Sequence, residues 1–274
     1  MSLVLGSIAV VVTAAVAVTA LLLVRRGAPD GSYFNDGDRA SGVFGVLATG
    51  FSVLLGFIVF LAFTSYDESR RGAEAEALAV AQQFQTAQFL PAETGQRAAD
   101  ELVCYARSIV YGEWPRMEDG TIDDTINPWG VALFRTLKAA DPGTDTEQSA
   151  YDRWLDQTSE RELARQARLH AADGVIPSPV WFVLFLIALV IFGYMLFFAD
   201  SGERAIVQAT LIGSVAIVIG AMLVSISVLD APFRPGPGSV EPVAMLRTLD
   251  ILEQGRAVVG SSGALPCTAE GVPS

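Results

Sequence analysis

At 274 residues the chain has the length of one or two ordinary domains, but 51% hydrophobic and only 18% charged residues set it apart from a soluble domain, where roughly a quarter are charged. A formal charge of −12, from 18 Lys+Arg against 30 Asp+Glu, excludes broad electrostatic binding to nucleic acid. One His and two Cys leave no cluster for zinc, haem or an iron–sulfur centre, so no metal and no other cofactor is expected.

A helix needs roughly 20 apolar residues to cross about 30 Å of hydrocarbon. Four stretches satisfy this: residues 3–24, 43–63, 179–199 and 205–229, none holding an Asp, Glu, Lys, Arg or His. The expected fold is an all-α membrane protein, four transmembrane helices with a helical extramembrane domain between spans two and three. Its segments are a transmembrane hairpin (1–64), an acidic helical domain (65–178), a second hairpin (179–229) and an extramembrane tail (230–274). No basic residue precedes the first apolar run and Arg25-Arg26 follow it, which fits a retained anchor better than a cleaved signal peptide.

With four spans, parity puts residues 65–178 and the tail on one side. Arg25-Arg26 favour a cytoplasmic short loop under the positive-inside bias, whereas Arg70-Arg71 favour the reverse. Residues 65–178 carry 11 basic and 20 acidic residues and so give no positive-inside signal of their own. The expectation is a multi-pass cell-membrane protein with N-terminus, large loop and tail extracytoplasmic.

Span two has no breaker at its end, and Ala77, Val80, Ala81, Phe84 and Ala87 keep helical spacing up to Pro91. Gly72 within that run costs only about 1 kcal/mol. A second helix is expected over 94–111, with Leu102, Tyr105, Ala106 and Ile109 on one face and Glu113-Trp114-Pro115 as its stop. Pro128-Trp129-Gly130 precedes a short helix expected around 131–140. Thr144-x-x-Glu147 reads as a capping box opening a helix with Tyr151, Trp154, Leu155 and Thr158, closed by a left-handed cap at Asp173-Gly174. No strand pattern is evident. The run 229–238, rich in Pro and Gly, reads as extended chain with Phe233 packed onto the loop domain; 241–253 reads as a helix and 260–274 as loose.

Little catalytic chemistry is present. His170 stands alone, and no nucleophile–base pair can be assembled, so an enzyme is not expected. Glu113-Trp114 reads either as an acid in an apolar pocket or as a helix stop. The acidic segments 118–124 and 141–147 lack calcium-loop spacing. Charge-free spans argue against proton relays, charged filters and voltage sensors. Ala48, Ser52 and Gly56, at i, i+4 and i+8, form a small stripe that admits a neighbouring helix. Beside it Thr49, Val53, Phe57 and Phe60 are candidate pore-lining residues, able to gate by dewetting in an oligomer, or else simply meet lipid or another span. Tyr66, Asp67, Arg70 and Arg71 form either an ion-attracting vestibule or an interfacial anchor.

Cys104 and Cys267 share one side of the membrane by parity. The 100° step of a helix puts Cys104 on a polar face with Arg97, Asp100 and Arg107, so a disulfide to the tail is expected, with two free thiols on a cytoplasmic domain as the alternative.

Several motifs carry a resemblance. Ala40-Ser41-Gly42-Val43-Phe44, then Tyr66-Asp67-Glu68-Ser69-Arg70-Arg71 with Glu74, Glu76 and Ala77, then Tyr105, Glu113-Trp114-Pro115 and Leu229-Asp230-x-Pro232-Phe233 occur in the order seen in bestrophin-like bacterial four-span proteins, a family built on a domain of unknown function. Ser52-Val53-Leu54-Leu55-Gly56-Phe57-Ile58-Val59 is similar to the bestrophin pore-helix pattern Ser-Phe-x-Leu-Gly-Phe-x-Val. That resemblance implies a pentameric anion channel with Val53 and Phe57 at the neck, though Val53 stands where the pattern has an aromatic and no calcium clasp is recognisable. Two functions stay open: an oligomeric channel for chloride or another small anion, and a non-conducting scaffold or accessory subunit of a larger membrane complex. Expected partners are membrane lipid, further copies of the chain and, in the second reading, another membrane protein.

Overall fold

The computed structural model describes residues 3–121, 126–172, 174–258 and 263–274. Among these residues the chain is helical without strands, and it divides into two compact units. Unit 1 comprises Met1–Ser65, Gly174–Asp230 and Pro235–Pro237; unit 2 comprises Tyr66–Asp173, Ala231–Arg234 and Gly238–Ser274.

Unit 1 contains α1 (Leu3–Arg25), the first part of α2 (Gly37–Ala87), α7 (Ser178–Phe197) and α8 (Ala205–Leu229). All four helices are long and apolar enough to cross a membrane. The Asp36 carboxylate caps α2 by accepting from the Arg39 N–H at 3.0 Å, so the helix starts one polar turn ahead of its apolar stretch. α2 buries Phe51, Leu55 and Ile58 against Leu184, Ala188 and Ile191 of α7 and Ile219 and Ile226 of α8.

The ends of these helices are tied by side chains that satisfy orphan backbone groups. The Arg25 guanidinium donates to the carbonyls of Asp200 (3.1 Å), Ser201 (3.1 Å) and Glu203. Asp200 Oδ1 accepts from the N–H groups of Gly31 (3.0 Å) and Gly202 (2.7 Å). These bonds lock the α1–α2 loop to the α7–α8 turn. Asp230 accepts from Val175 and Ile176 N–H at 2.8 and 2.9 Å, joining the exit of α8 to the entry of α7.

Unit 2 holds the rest of α2, then α3 (Ala92–Arg107), a π-helical turn (Ser108–Glu113), α4 (Trp114–Glu118), α5 (Pro128–Lys138), α6 (Asp145–Leu169) and α9 (Val243–Val258). Thr144 and Glu147 form the reciprocal capping box at the head of α6, and Asn127 caps α5 through the Trp129 N–H at 2.9 Å.

Four local expectations require correction. The helix expected over 94–111 is α-helical only to Arg107, and Pro115 does not stop the chain. The π turn widens the backbone, the Trp114 N–H bonds back to the Ile109 carbonyl, and Pro115 falls in the first turn of α4, where no N–H is needed. Cys104 is not on a polar face: it is fully buried, because α9 lies over that side of α3 and pairs its charges, Arg256 with Asp100 at 2.7 Å and Glu253 with Arg107 at 2.6 Å. Residues 263–274 are not loose. Ser274 N–H donates to the Pro266 carbonyl at 3.0 Å, and Trp129 Nε1–H to that of Gly271 at 2.6 Å. Finally, α6 ends at Leu169, before the cap expected at Asp173-Gly174. Gly174 has a left-handed φ of +84°, and Asp173 lies outside the described residues, as do parts of the segments 118–124 and 260–274.

Gly72 is a packing requirement and not a tolerated defect. A Cβ there would collide with the backbone N of Arg168 and stand 2.8 Å from the Ala164 carbonyl oxygen. Helix propensity alone favours Ala at this position by about 1 kcal/mol. Gly72→Ala is instead expected to destabilise the protein by about 1–3 kcal/mol, measured by denaturant unfolding in detergent. A stabilised variant would refute the close approach of α6.

Candidate functional site

The outward face of α2 is built by its period. Phe51, Leu55, Ile58 and Ala62 are buried, and at 100° per residue Thr49, Val53 and Phe60 fall on the opposite side with Phe57 beside them. Within one chain these side chains are uncovered: Val53 is 55%, Phe57 64% and Phe60 63% exposed, and Thr49 is exposed as well. Ala48 is half-buried, while Ser52 and Gly56 are exposed. The Ser52 hydroxyl donates to the Ala48 carbonyl of its own helix at 2.9 Å, and a Cβ on Gly56 would meet nothing within 4 Å. The small stripe and the aromatic stripe therefore form one apolar, charge-free surface.

Further along α2, the Tyr66 hydroxyl donates to the Gly238 carbonyl at 2.7 Å. Asp67 pairs with Arg71 at 2.8 Å and Arg70 with Glu74 at 3.2 Å, each within its own helix at i, i+4. Tyr66 thus ties α2 to the chain that follows α8, and the two arginines are braced along the helix.

Cys104 and Cys267 are joined by a disulfide, with Cα atoms 5.8 Å apart. The bond holds residues 263–274 against α3 and the π turn. Arg107 Nη1 adds a bond to the Thr268 carbonyl at 3.3 Å. Gly271, at φ +78°, passes so close to the backbone of Ser108 that no Cβ would fit.

The centre of unit 2 is an ion cluster that periodicity did not reveal. Arg168 is fully buried; its Nε donates to Glu76 Oε2 at 2.5 Å and its Nη2 to Glu113 Oε2 at 2.7 Å. Tyr105 donates its hydroxyl to Glu76 Oε1 at 2.6 Å, and Arg165 pairs with Glu113 Oε1 at 2.8 Å. Arg168 also lies over the Trp114 ring at 5.7 Å, and Trp114 meets Phe233 edge-on at 5.5 Å. Phe233 is buried in this cluster. Burial opposes the charge of Arg168, but Glu76 and Glu113 outweigh it and hold the guanidinium above its ordinary range. Burial, then the charge of Glu76, pushes the Tyr105 phenol well up, so it stays a donor. Burial likewise raises Glu101, whose Oε1 accepts from Thr136 at 2.9 Å while Oε2 has no partner among the described residues. Glu113 is thus neither a free acid in an apolar pocket nor a helix stop. The signal available in the sequence was Glu76 interrupting the stripe of Ala73, Ala77 and Val80, and Arg161 and Arg168 at core positions of the helix that carries Trp154.

All-helical architecture and four membrane-length apolar helices define an integral membrane protein. Residues 9–245 match the Bestrophin-like domain, and the chain belongs to that family. In fold it is similar to a mutant form of a bacterial Bestrophin homolog from Klebsiella pneumoniae, with 13% identity and a TM-score of 0.63 over 90% of this chain and 98% of that one. A second mutant of that homolog gives 13% identity and a TM-score of 0.60 over 92% and 97%. A further crystal structure, described as a membrane protein, is 13% identical with a TM-score of 0.60 over 100% of both chains. No curated protein matches the sequence.

Removing one partner from a buried ion pair leaves the other charge stranded. Arg168→Met, which leaves Glu76 without a cationic partner and Glu113 with Arg165 alone, is expected to cost about 3–5 kcal/mol by denaturant unfolding. A loss below about 1 kcal/mol would mean that the cluster is solvated.

Proposed function

We propose that the protein is an oligomeric anion channel whose neck is the outward face of α2. Thr49, Val53, Phe57 and Phe60 from each copy line the shared axis, and the permeant species is chloride or another small anion. One observation carries this reading: the face of α2 opposite its packed side is apolar, charge-free and uncovered within the chain. Ala48, Ser52 and Gly56 flank that face and let a neighbouring copy approach closely. A ring of such side chains conducts when wetted and closes by dewetting, which needs no ionisable group in the bilayer. Tyr66, Asp67, Arg70 and Arg71 form the vestibule in this reading. Membership of the Bestrophin-like family and the likeness in fold to a bacterial Bestrophin homolog support it.

In the membrane, segments 1–64 and 179–229 form the two transmembrane hairpins, and 65–178 and 230–274 lie outside the bilayer. The Cys104–Cys267 bond favours the oxidising side for these two segments, since disulfides persist there and are rare in the cytosol. Arg25-Arg26 then mark the cytoplasmic loop.

Anion flux into liposomes tests conduction. The wild type is expected to pass chloride, and Phe57→Ala to raise the flux by about tenfold by opening the constriction. Wild type and variant both silent across pH, calcium and voltage would overturn conduction in favour of a non-conducting scaffold for another membrane complex. Orientation has its own readout. Alkylation of the membrane-extracted protein without reductant should leave both cysteines unmodified, and two alkylated thiols would reverse the assignment.

A further inference from the structure

Unit 2 contains a cavity of about 270 Å³ that the channel reading does not use. Its polar floor is Ser108, Glu113, Asn127 and Arg165; Met117, Pro128 and Leu169 supply apolar surface, and the disulfide-held stretch Glu270–Pro273 forms one wall. That wall lies beyond the residues matched to the Bestrophin-like domain, which end at 245.

The donors and acceptors of this floor are unevenly satisfied. Glu113 Oε1 accepts from both Arg165 and Asn127, and Oε2 from Arg168. Ser108 accepts from Asn127 and donates to the Tyr105 carbonyl. Asn127 Oδ1 is taken by the Trp129 N–H. Arg165 is the exception. Its side chain is only 12% exposed, yet among the described residues its single hydrogen-bond partner is Glu113, through Nη1. A guanidinium carries five N–H donors in a fixed planar fork. Among the described residues the Nε and Nη2 donors have no partner, on a residue that lines this cavity and the adjoining one of about 390 Å³.

We infer that this cavity binds a small organic acid, its carboxylate on the Nε/Nη2 edge of Arg165 and its short apolar body against Leu169, Pro128 and Val272. Three features select that class. The unpaired edge of one guanidinium matches one carboxylate in bidentate geometry. Arg116 and Arg165 in the lining are matched by Glu113 and Glu270, so the cavity has no surplus positive charge and favours a monoanion over a dianion such as phosphate. The volume lies just below the roughly 300–1,000 Å³ of sites for drug-sized ligands, which limits the occupant to metabolite size. The π-helical turn that supplies Ser108, Gly112 and Glu113 is itself a geometry found frequently at functional sites.

The site is independent of ion conduction and is tested without it, by calorimetric titration of the full chain in detergent with its disulfide intact. Benzoate is the probe; benzylamine and inorganic phosphate are the controls. Benzoate should bind saturably, and both controls at least about tenfold more weakly. Arg165→Gln should weaken benzoate by roughly 10- to 100-fold, the effect of losing a charge-assisted bond. Because that variant also breaks a structural ion pair, Gly112→Leu serves as the second. Gly112 lines the cavity and a Cβ there would have only the Arg116 Nη2, at 3.9 Å, within reach, so a larger side chain is placed to obstruct the site. Benzoate binding should be lost in it. Absence of saturable benzoate binding, undiminished binding in Gly112→Leu, or benzylamine or phosphate binding as tightly as benzoate would each overturn the assignment.

Discussion

The packing of α6 against α2 in unit 2 depends on the buried guanidinium of Arg168. Arg168 comes from α6, and the groups that neutralise it come from elsewhere in the chain: Glu76 from α2 and Glu113 from the π turn. A single carboxylate would leave the desolvation of a fully buried guanidinium poorly offset; two carboxylates, with Tyr105 on one and Arg165 on the other, close the local balance of charge. Apolar residues in these places would avoid the desolvation cost altogether. They would not fix the register of α6 along α2, because a guanidinium fork accepts its partners from defined directions and a Leu does not. Gly72 is the steric half of the same arrangement, since the cluster needs the α6 backbone at a distance that any side chain on α2 would forbid.

The disulfide works on a different scale. It closes a sequence separation of 163 residues, which in the chain-entropy account removes about 5 kcal/mol of freedom from the unfolded state. Its local effect is also directional. With Cys267 fixed to α3, Gly271 is delivered against Ser108 and its carbonyl to the Trp129 indole, so a short, strand-free segment becomes a wall of the cavity. The ion cluster sets where Glu113 and Arg165 stand, and the disulfide sets what faces them.

How far the sequence could be read depended on whether the information was local. The apolar helices were legible because the absence of charge over some 20 residues has one cheap explanation, and the capping box because Thr144 and Glu147 sit three residues apart. Glu76 and Arg168 are 92 residues apart, so neither predicts the other; each alone reads as a charge on a solvated face. The π turn was hidden because Pro115 looks like a stop until the backbone before it is seen to widen. Amphipathicity assigns Cys104 to a polar face because it assumes one buried side per helix, and α3 has more than one. Asp100 and Arg107 find their ion-pair partners, Arg256 and Glu253, on α9, about 150 residues later in the chain.

The same reasoning limits where ions could pass. In unit 1 the inner side of α2 is filled, with Phe51, Leu55 and Ile58 interdigitating with α7 and α8 side chains, and a packed interior leaves few voids larger than a water molecule. A conduit along that side would require the core to come apart. The outer side carries no such obligation. Its Val, Phe and Thr side chains cost nothing in contact with lipid and nothing in contact with their own copies, so the helix is equally compatible with solitude and with a ring. Lipid supplies no hydrophobic preference between the two, which leaves close packing to decide, and in the proposed oligomer Ala48, Ser52 and Gly56 would permit it. On the proposed reading, the choice between conduit and passive anchor turns on how closely small side chains on one helix let a second copy approach, not on any charged group.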